Sequence, residues 1–273
     1  MRRQLSQVLA TSAILASLSV SCGQSGDQSS EQKVYGGTKV PAGNWLSTVG
    51  LSQGGSLYCT GTAISPTVVI SAAHCAQGIS ASSVTVYTGE GKDGGYVKGQ
   101  YKVKKIVKSP KYTGNKGNDI SYLVLSTPLD LPASAYVPVL TDKDEIAELN
   151  KVGAKAQIVG YGLRNGNAFG VKYEVTASVV KSISTLLSYD SQNEIAIGGS
   201  GKDSCNGDSG GPVYGQLKSG DWRVYGVTSR GGSCGTGGIY GLMSSNICWV
   251  QKDSGVDLDL PAGTCDDVVA DNN

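Results

Sequence analysis

The feature that most constrains this chain is its punctuation. Between Val34 and about Val250, short apolar runs alternate with clusters of Gly, Pro, Asn and Ser. VVIS (68–71), VTVY (84–87), YKVKKIV (101–107), DISYLVL (119–125), AQIVGYG (156–162), VTASVV (175–180) and WRVYGVTS (222–229) are examples. Several alternate apolar with polar residues, as strands wetted on one face do, and others are apolar on both faces, as barrel walls can be. Glycine supplies 39 of 273 residues, about twice the usual share of roughly 7%. It comes without a collagen-like period, so it reads as turns between short strands and not as long helices. Near the end, SSNICWVQK (244–252) is the only good helix candidate. The expected architecture is all-β, in two similar halves, with enough chain for a sizeable core.

The two ends read differently. MRR, a mostly apolar stretch from Val8 to Val20, and small residues before Cys22 make residues 1–22 an export signal. That stretch is too short and too broken by serines for a comfortable membrane span, and no later segment is apolar enough to cross a bilayer. Export permits disulfides. Residues 23–33 form a polar linker, and DDVVADNN closes the chain as an acidic tail over 266–273. LSVSC resembles a bacterial lipoprotein processing site, with Ser19 where leucine is usual, which would lipidate Cys22. Plain cleavage nearby, leaving Cys22 in a discarded leader, is the other reading. Without Cys22 the seven cysteines become an even six.

Charge excludes one class of partner. Residues 1–33 hold Arg2, Arg3, Lys33, Asp27 and Glu31, so the remainder of the chain carries 20 residues of each sign. No basic footprint of a nucleic-acid binder is present.

The chemistry gathers at three places. His74, in VVISAAHC, is the only histidine. A lone histidine is more often structural than catalytic, but this one follows a strand-like run and two alanines that leave an imidazole room, and it adjoins Cys75. Asp119 heads the apolar run DISYLVL. A solvated strand cap is the ordinary reading there, although a carboxylate entering such a strand needs a donor, and an imidazole N–H is one. Ser209 lies in KDSCNGDSGGPV (202–213), among glycines that can be a mere turn or can let backbone N–H groups converge on a reacting oxygen.

SAAHC, NDISYLVL and DSCNGDSGGPV, in this order and at these separations, resemble the trypsin-like, chymotrypsin-fold serine proteases, in their exported bacterial form. The resemblance runs from VYGG at Val34 to CWVQ at Cys248. It implies two six-stranded antiparallel β-barrels and a short C-terminal helix, with the active site between the barrels. It divides the chain into a protease domain over 34–265, with barrel one at about 34–135, barrel two at about 136–243 and the helix at about 244–252. Ser209 would be the nucleophile, His74 the general base and acid, and Asp119 the residue that orients His74. Gly207 and Ser209 would supply the oxyanion hole, and Ser229 would help hold Asp119 at the edge of the substrate site.

The two remaining aspartates receive other work from the resemblance. Asp208 matches the residue that takes a new amino terminus, here Val34 after cleavage behind Lys33 in QKVYGG, so the exported chain is expected to be an inactive precursor. Asp203 matches the floor of the primary specificity pocket, with Ser204 beside it and Gly231 and Gly238 as open walls. An anionic floor under an open slot selects Arg or Lys. The expected substrates are therefore proteins and peptides with Arg or Lys, and protein protease inhibitors are candidate partners of an expected monomer. Membrane contact would come only through Cys22.

Some positions depart from the family pattern. Arg230 stands where a tryptophan is usual, either as a solvated stem or as a group that binds acidic residues upstream of the cut; folded toward Asp203, it would weaken the charge of the pocket. Tyr161 replaces another common tryptophan. Cys59–Cys75 and Cys205–Cys234 match family disulfides, and Cys248 and Cys265, left over, are expected to pair. No cofactor, calcium loop or metal site is expected. Two other functions stay open: a protease-like binding module without catalysis, and an envelope lipoprotein made for display.

Overall fold

The computed structural model describes residues 34–91, 97–114, 117–162, 170–183 and 188–266. The export signal with Cys22, the linker with Lys33, and most of the acidic tail lie outside the described residues.

Among the described residues, twelve of thirteen strands build two closed barrels. The first consists of β2 (Thr48–Gln53), β3 (Ser56–Ala63), β4 (Val68–Ser71), β5 (Val84–Gly89), β6 (Val97–Lys108) and β7 (Ser121–Leu125). Its closed order is β2-β3-β4-β7-β6-β5. The second consists of β8 (Lys155–Gly160), β9 (Tyr173–Val180), β10 (Glu194–Ile197), β11 (Pro212–Gln216), β12 (Trp222–Gly231) and β13 (Gly238–Leu242). It runs β9-β10-β13-β12-β11-β8 and closes through β8 on β9. Numbered within its own barrel, each set follows the same path: first, second, third, sixth, fifth, fourth. The two similar halves expected from the punctuation are therefore one topology used twice. All pairings within the barrels are antiparallel. The two-residue strand β1 (Thr38–Lys39) leaves the first half and joins the second barrel at β9.

Local composition explains the strands. In β4 all four residues are buried, as the run VVIS requires. The first seven residues of β6 instead alternate half-buried or buried with exposed, so its lysines face water. Closing the barrels removes the unpaired edges that such short strands would otherwise present.

Three short helices complete the fold: α1 (Ala73–Ala76), α2 (Lys143–Leu149) and α3 (Ile247–Ser254). The C-terminal helix expected at 244–252 begins three residues later, after a 3₁₀ turn over Met243–Ser245, and stops at Gly255, whose φ is 67°. Ile247 and Val250 plug the first barrel's core. The sequence reading had no helix at α2. Its signal is a cap: Asp142 accepts from the N–H groups of Asp144 and Glu145 at 2.9 and 3.0 Å.

Candidate active site

His74 is carried by α1, a single turn that follows β4 directly. Ala72 and Ala73 are fully buried, Ala72 within the first barrel's core. A disulfide joins Cys75, beside His74, to Cys59 on β3. Asp119 stands two residues before β7 and is 4% exposed. Its Oδ1 accepts from the His74 backbone N–H at 2.9 Å, and its Oδ2 from His74 Nδ1 at 2.8 Å. The Ser229 hydroxyl donates to the same Oδ2 at 2.6 Å. Burial pushes the Asp119 carboxyl up, but donation from His74 and Ser229 outweighs it and holds the group below the ordinary aspartate range. An ionised carboxylate can only accept, so His74 Nδ1 carries the proton, and Nε2 is the ring nitrogen left to take one.

Ser209 sits in the turn before β11. Gly210, at φ 78°, lets this turn press on the first barrel, where a Cβ would come within 2.0 Å of Ser71 Oγ and 2.9 Å of Ala72 N. The Thr60 N–H on β3 donates to Ser209 O at 2.8 Å, and Thr60 Oγ1 donates to Gly207 O at 2.9 Å. The turn therefore backs onto the two residues that lead into α1 and His74. Among the described residues, the N–H groups of Gly207 and Ser209 have no acceptor.

Asp208 and Asp203 are both buried, at 0% and 2% exposure. The Asp208 carboxylate accepts from Gly162 N at 2.8 Å and from Cys205 N at 2.8 Å. Burial pushes it up to about 7, against those two neutral donors. Val34 is buried in the second barrel's core, and Tyr35 forms a bridge with Asp203. The Asp203 side chain accepts from Gly237 N at 2.9 Å and lies 3.4 Å from the Tyr240 hydroxyl, and burial pushes it up to about 6. Gly231 and Gly238 face each other across β12 and β13, and a Cβ on Gly238 would come 3.2 Å from Asp203 Oδ1. Ser204 Oγ takes the Tyr240 hydroxyl at 2.9 Å. Disulfides close Cys205–Cys234 and Cys248–Cys265.

A trypsin family model matches residues 34–249. The chain belongs to the trypsin family. It is similar to glucanase inhibitor protein 3 of Phytophthora infestans, at 29% identity over 266 residues, 91% of this chain and 97% of that protein. Trypsin alpha of Drosophila erecta is 30% identical over 233 residues, 80% of this chain and 86% of that protein. Glucanase inhibitor protein 2 of Phytophthora sojae is 28% identical over 267 residues, 90% of this chain and 87% of that protein.

Within this trypsin-family frame, Arg230 is not a freely solvated stem. Its guanidinium grips Glu194 with both terminal nitrogens, at 2.5 and 3.0 Å. Glu194 escaped the sequence reading, although it heads the apolar run EIAI just as Asp119 heads DISYLVL. Tyr240, the buried neighbour of Asp203, was also missed. A single tyrosine in a strand carries no sign of its partner. Cys59, His74 and Cys75 cluster closely enough to suggest metal ligands, but both sulfurs are spent in the disulfide.

Proposed function

We propose that this trypsin-family protein is an exported serine endopeptidase that cleaves after Arg or Lys and is made as a precursor. The observation that carries the reading is the Asp119 carboxylate, which binds His74 twice and Ser229 once while Ser209 stands in a turn pressed against the approach to His74. In this reading Ser209 Oγ attacks the substrate carbonyl and passes its proton to His74 Nε2. Asp119 stabilises the imidazolium, which then protonates the leaving amine. A water molecule repeats the sequence to free Ser209. The unengaged N–H groups of Gly207 and Ser209 would receive the oxyanion, and each such donor contributes about 3–4 kcal/mol in comparable sites.

Asp203 would face the substrate's basic side chain, with Gly231 and Gly238 leaving it space and Ser204 beside it. Asp208 would receive the ammonium of Val34 once the Lys33–Val34 bond is cut. Burial of Val34 and the bridge from Tyr35 to Asp203 favour this, since both put the start of the domain beside the Asp203–Ser209 loop. Three disulfides fit an oxidising destination. The boundaries at 22, 33 and 265, lipidation of Cys22, the bacterial exported type, a monomeric state and binding of protein inhibitors belong to the same proposal.

A second reading is a protease-like binding module, favoured by the similarity to the two glucanase inhibitor proteins. A biotinylated arginine phosphonate separates the two. Covalent labelling of Ser209 after limited trypsin treatment, absent in Ser209→Ala, is expected of the enzyme. A correctly cleaved protein that stays unlabelled and hydrolyses no Arg or Lys ester would leave the binding module.

A further inference from the structure

We propose that Glu194 is a positioning residue: with Arg230 as its counter-charge, it fixes the loop bearing Asp119 against the second barrel and so sets the contact between Asp119 and His74. What that contact achieves rests on the serine-protease reading; that Glu194 controls it does not.

Glu194 opens β10, and its side chain is 0% exposed. Oε1 accepts from Gly117 N at 2.9 Å and from Arg230 Nη1 at 2.5 Å. Oε2 accepts from Asp190 N at 2.8 Å and from Arg230 Nη2 at 3.0 Å. A carboxylate has about four acceptor sites, and here each is used. Its donors come from three segments. Gly117 belongs to the first half of the chain and lies two residues before Asp119. Asp190 belongs to the approach to β10. Arg230 follows Ser229, which itself donates to Asp119. One buried group thus holds the chain just ahead of Asp119 and the strand end that binds Asp119 from the other side.

The held loop needs such support. Gly117 and Asn118 adopt φ values of 65° and 52° in succession. A non-glycine residue there is uncommon and persists when its surroundings over-determine it. Glu194 supplies one anchor, and Asn246 Nδ2 donating to Asn118 Oδ1 at 3.1 Å supplies another. The arrangement also occupies Arg230, whose fork makes further contacts with Ser188 O at 3.1 Å and Ser229 Oγ at 3.4 Å.

The chain's single histidine makes the test direct, because an untagged protein gives one imidazole signal. The Nδ1–H resonance of His74 would be recorded in the wild type, in Glu194→Gln and in Arg230→Lys, together with kcat and KM on an arginine ester after trypsin treatment. Glutamine is close in size but replaces one acceptor oxygen with a donor. Lysine keeps the charge yet cannot grip both oxygens. The expected result is a displaced or exchange-broadened Nδ1–H signal in both variants, with kcat down by roughly 10–100-fold in Glu194→Gln and KM nearly unchanged, the cost of small misplacement.

An Nδ1–H resonance and kcat identical to wild type in Glu194→Gln, or in Arg230→Lys should the first variant not fold, would overturn the proposal. A displaced signal in a protein whose wild type never reacts with the phosphonate would uphold the positioning role and remove the protease reading. An unchanged signal with an active wild type would do the reverse.

Discussion

The two barrels share one strand order but not one way of holding charge. Five charged side chains among the described residues are buried: Asp119, Lys172, Glu194, Asp203 and Asp208. Only Asp119 belongs to the first barrel, and its partners are a histidine and a hydroxyl that pull its carboxyl below the ordinary range. The second barrel's Asp203 and Asp208 are held chiefly by backbone N–H groups, and burial pushes both up. Ionised Asp119 therefore supports its barrel at neutral pH, whereas ionised Asp203 and Asp208 burden theirs. One barrel is a mount whose shape does not wait on a proton. The other holds two carboxylates whose ionisation works against their burial.

The largest effect that would sharpen this contrast is chemical. Asp119→Asn, in the first barrel, should lower kcat by roughly 10⁴-fold by favouring the wrong imidazole tautomer, and should also lower the thermal midpoint at neutral pH, where the ionised carboxylate is stabilising. A kcat within tenfold of wild type on an arginine ester would remove Asp119 from its role. Next comes a change confined to the second barrel. Asp203→Ser should cut the preference for arginine over phenylalanine esters by roughly 10³–10⁴-fold, yet leave labelling by an uncharged alkyl fluorophosphonate intact. An unchanged preference would mean that the floor of the pocket lies elsewhere.

The third prediction sets the barrels against each other by pH. A carboxyl whose folded pKa is raised contributes its stability below the unfolded value of about 4 and loses it as pH rises through the folded value. For Asp203 and Asp208 that window runs from about 4 to 7. Asp119 has the opposite sign: its contribution is present above the unfolded value and is lost as pH falls through the depressed one. In a Lys33→Gln precursor, hydrogen exchange corrected for intrinsic rate should show protection in β8–β13 declining between pH 4 and 7 while β2–β7 hold steady. Asp208 alone would contribute on the order of 4 kcal/mol. Cleaved wild type should lose most of that decline, because the Val34 ammonium offsets the Asp208 charge. That ammonium's pKa should in turn be raised by Asp208, so activity should fall as pH climbs through it. Parallel pH profiles for the two barrels before and after cleavage would break the comparison.

The smallest effect concerns the C-terminal clip. Cys248→Ser with Cys265→Ser opens a bond spanning 17 residues, which should cost roughly 2–3 kcal/mol of stability. Activity on small esters should not move, since the bond lies outside the network around His74. Denaturant unfolding with parallel ester kinetics checks both halves of the statement.

Why some of this was visible in the sequence and some not follows from where the information sits. VVIS, DISYLVL and the other runs carry their strand character locally, through β-branching and alternation, so the all-β pattern could be read directly. His74, Asp119 and Ser209 could be singled out through short motifs whose residues are neighbours in the chain, whereas two cysteine pairs came from the family resemblance and Cys248–Cys265 only as the pair left over. α2 was missed because seven residues offer little periodicity, and only Asp142 two and three places ahead of its amide partners marks the start. Glu194–Arg230 spans 36 residues, and Gly117–Glu194 spans 77. Neither arginine nor glutamate names its partner, so the pair emerges only once β10 and β12 flank β13. The bridge from Tyr35 to Asp203 is hidden for the same reason.

The Cys59–Cys75 bond ties the one-turn helix under His74 to the wall of its barrel. A four-residue helix has almost no stability of its own, so the placement of the imidazole draws on a covalent hoop that forms only under oxidising conditions, as well as on Asp119. With that bond reduced, the imidazole would keep its contacts to Asp119 but lose its covalent tie to β3. Were the chain exported and proteolytic as proposed, redox chemistry would keep its synthesis and its proteolysis in different compartments.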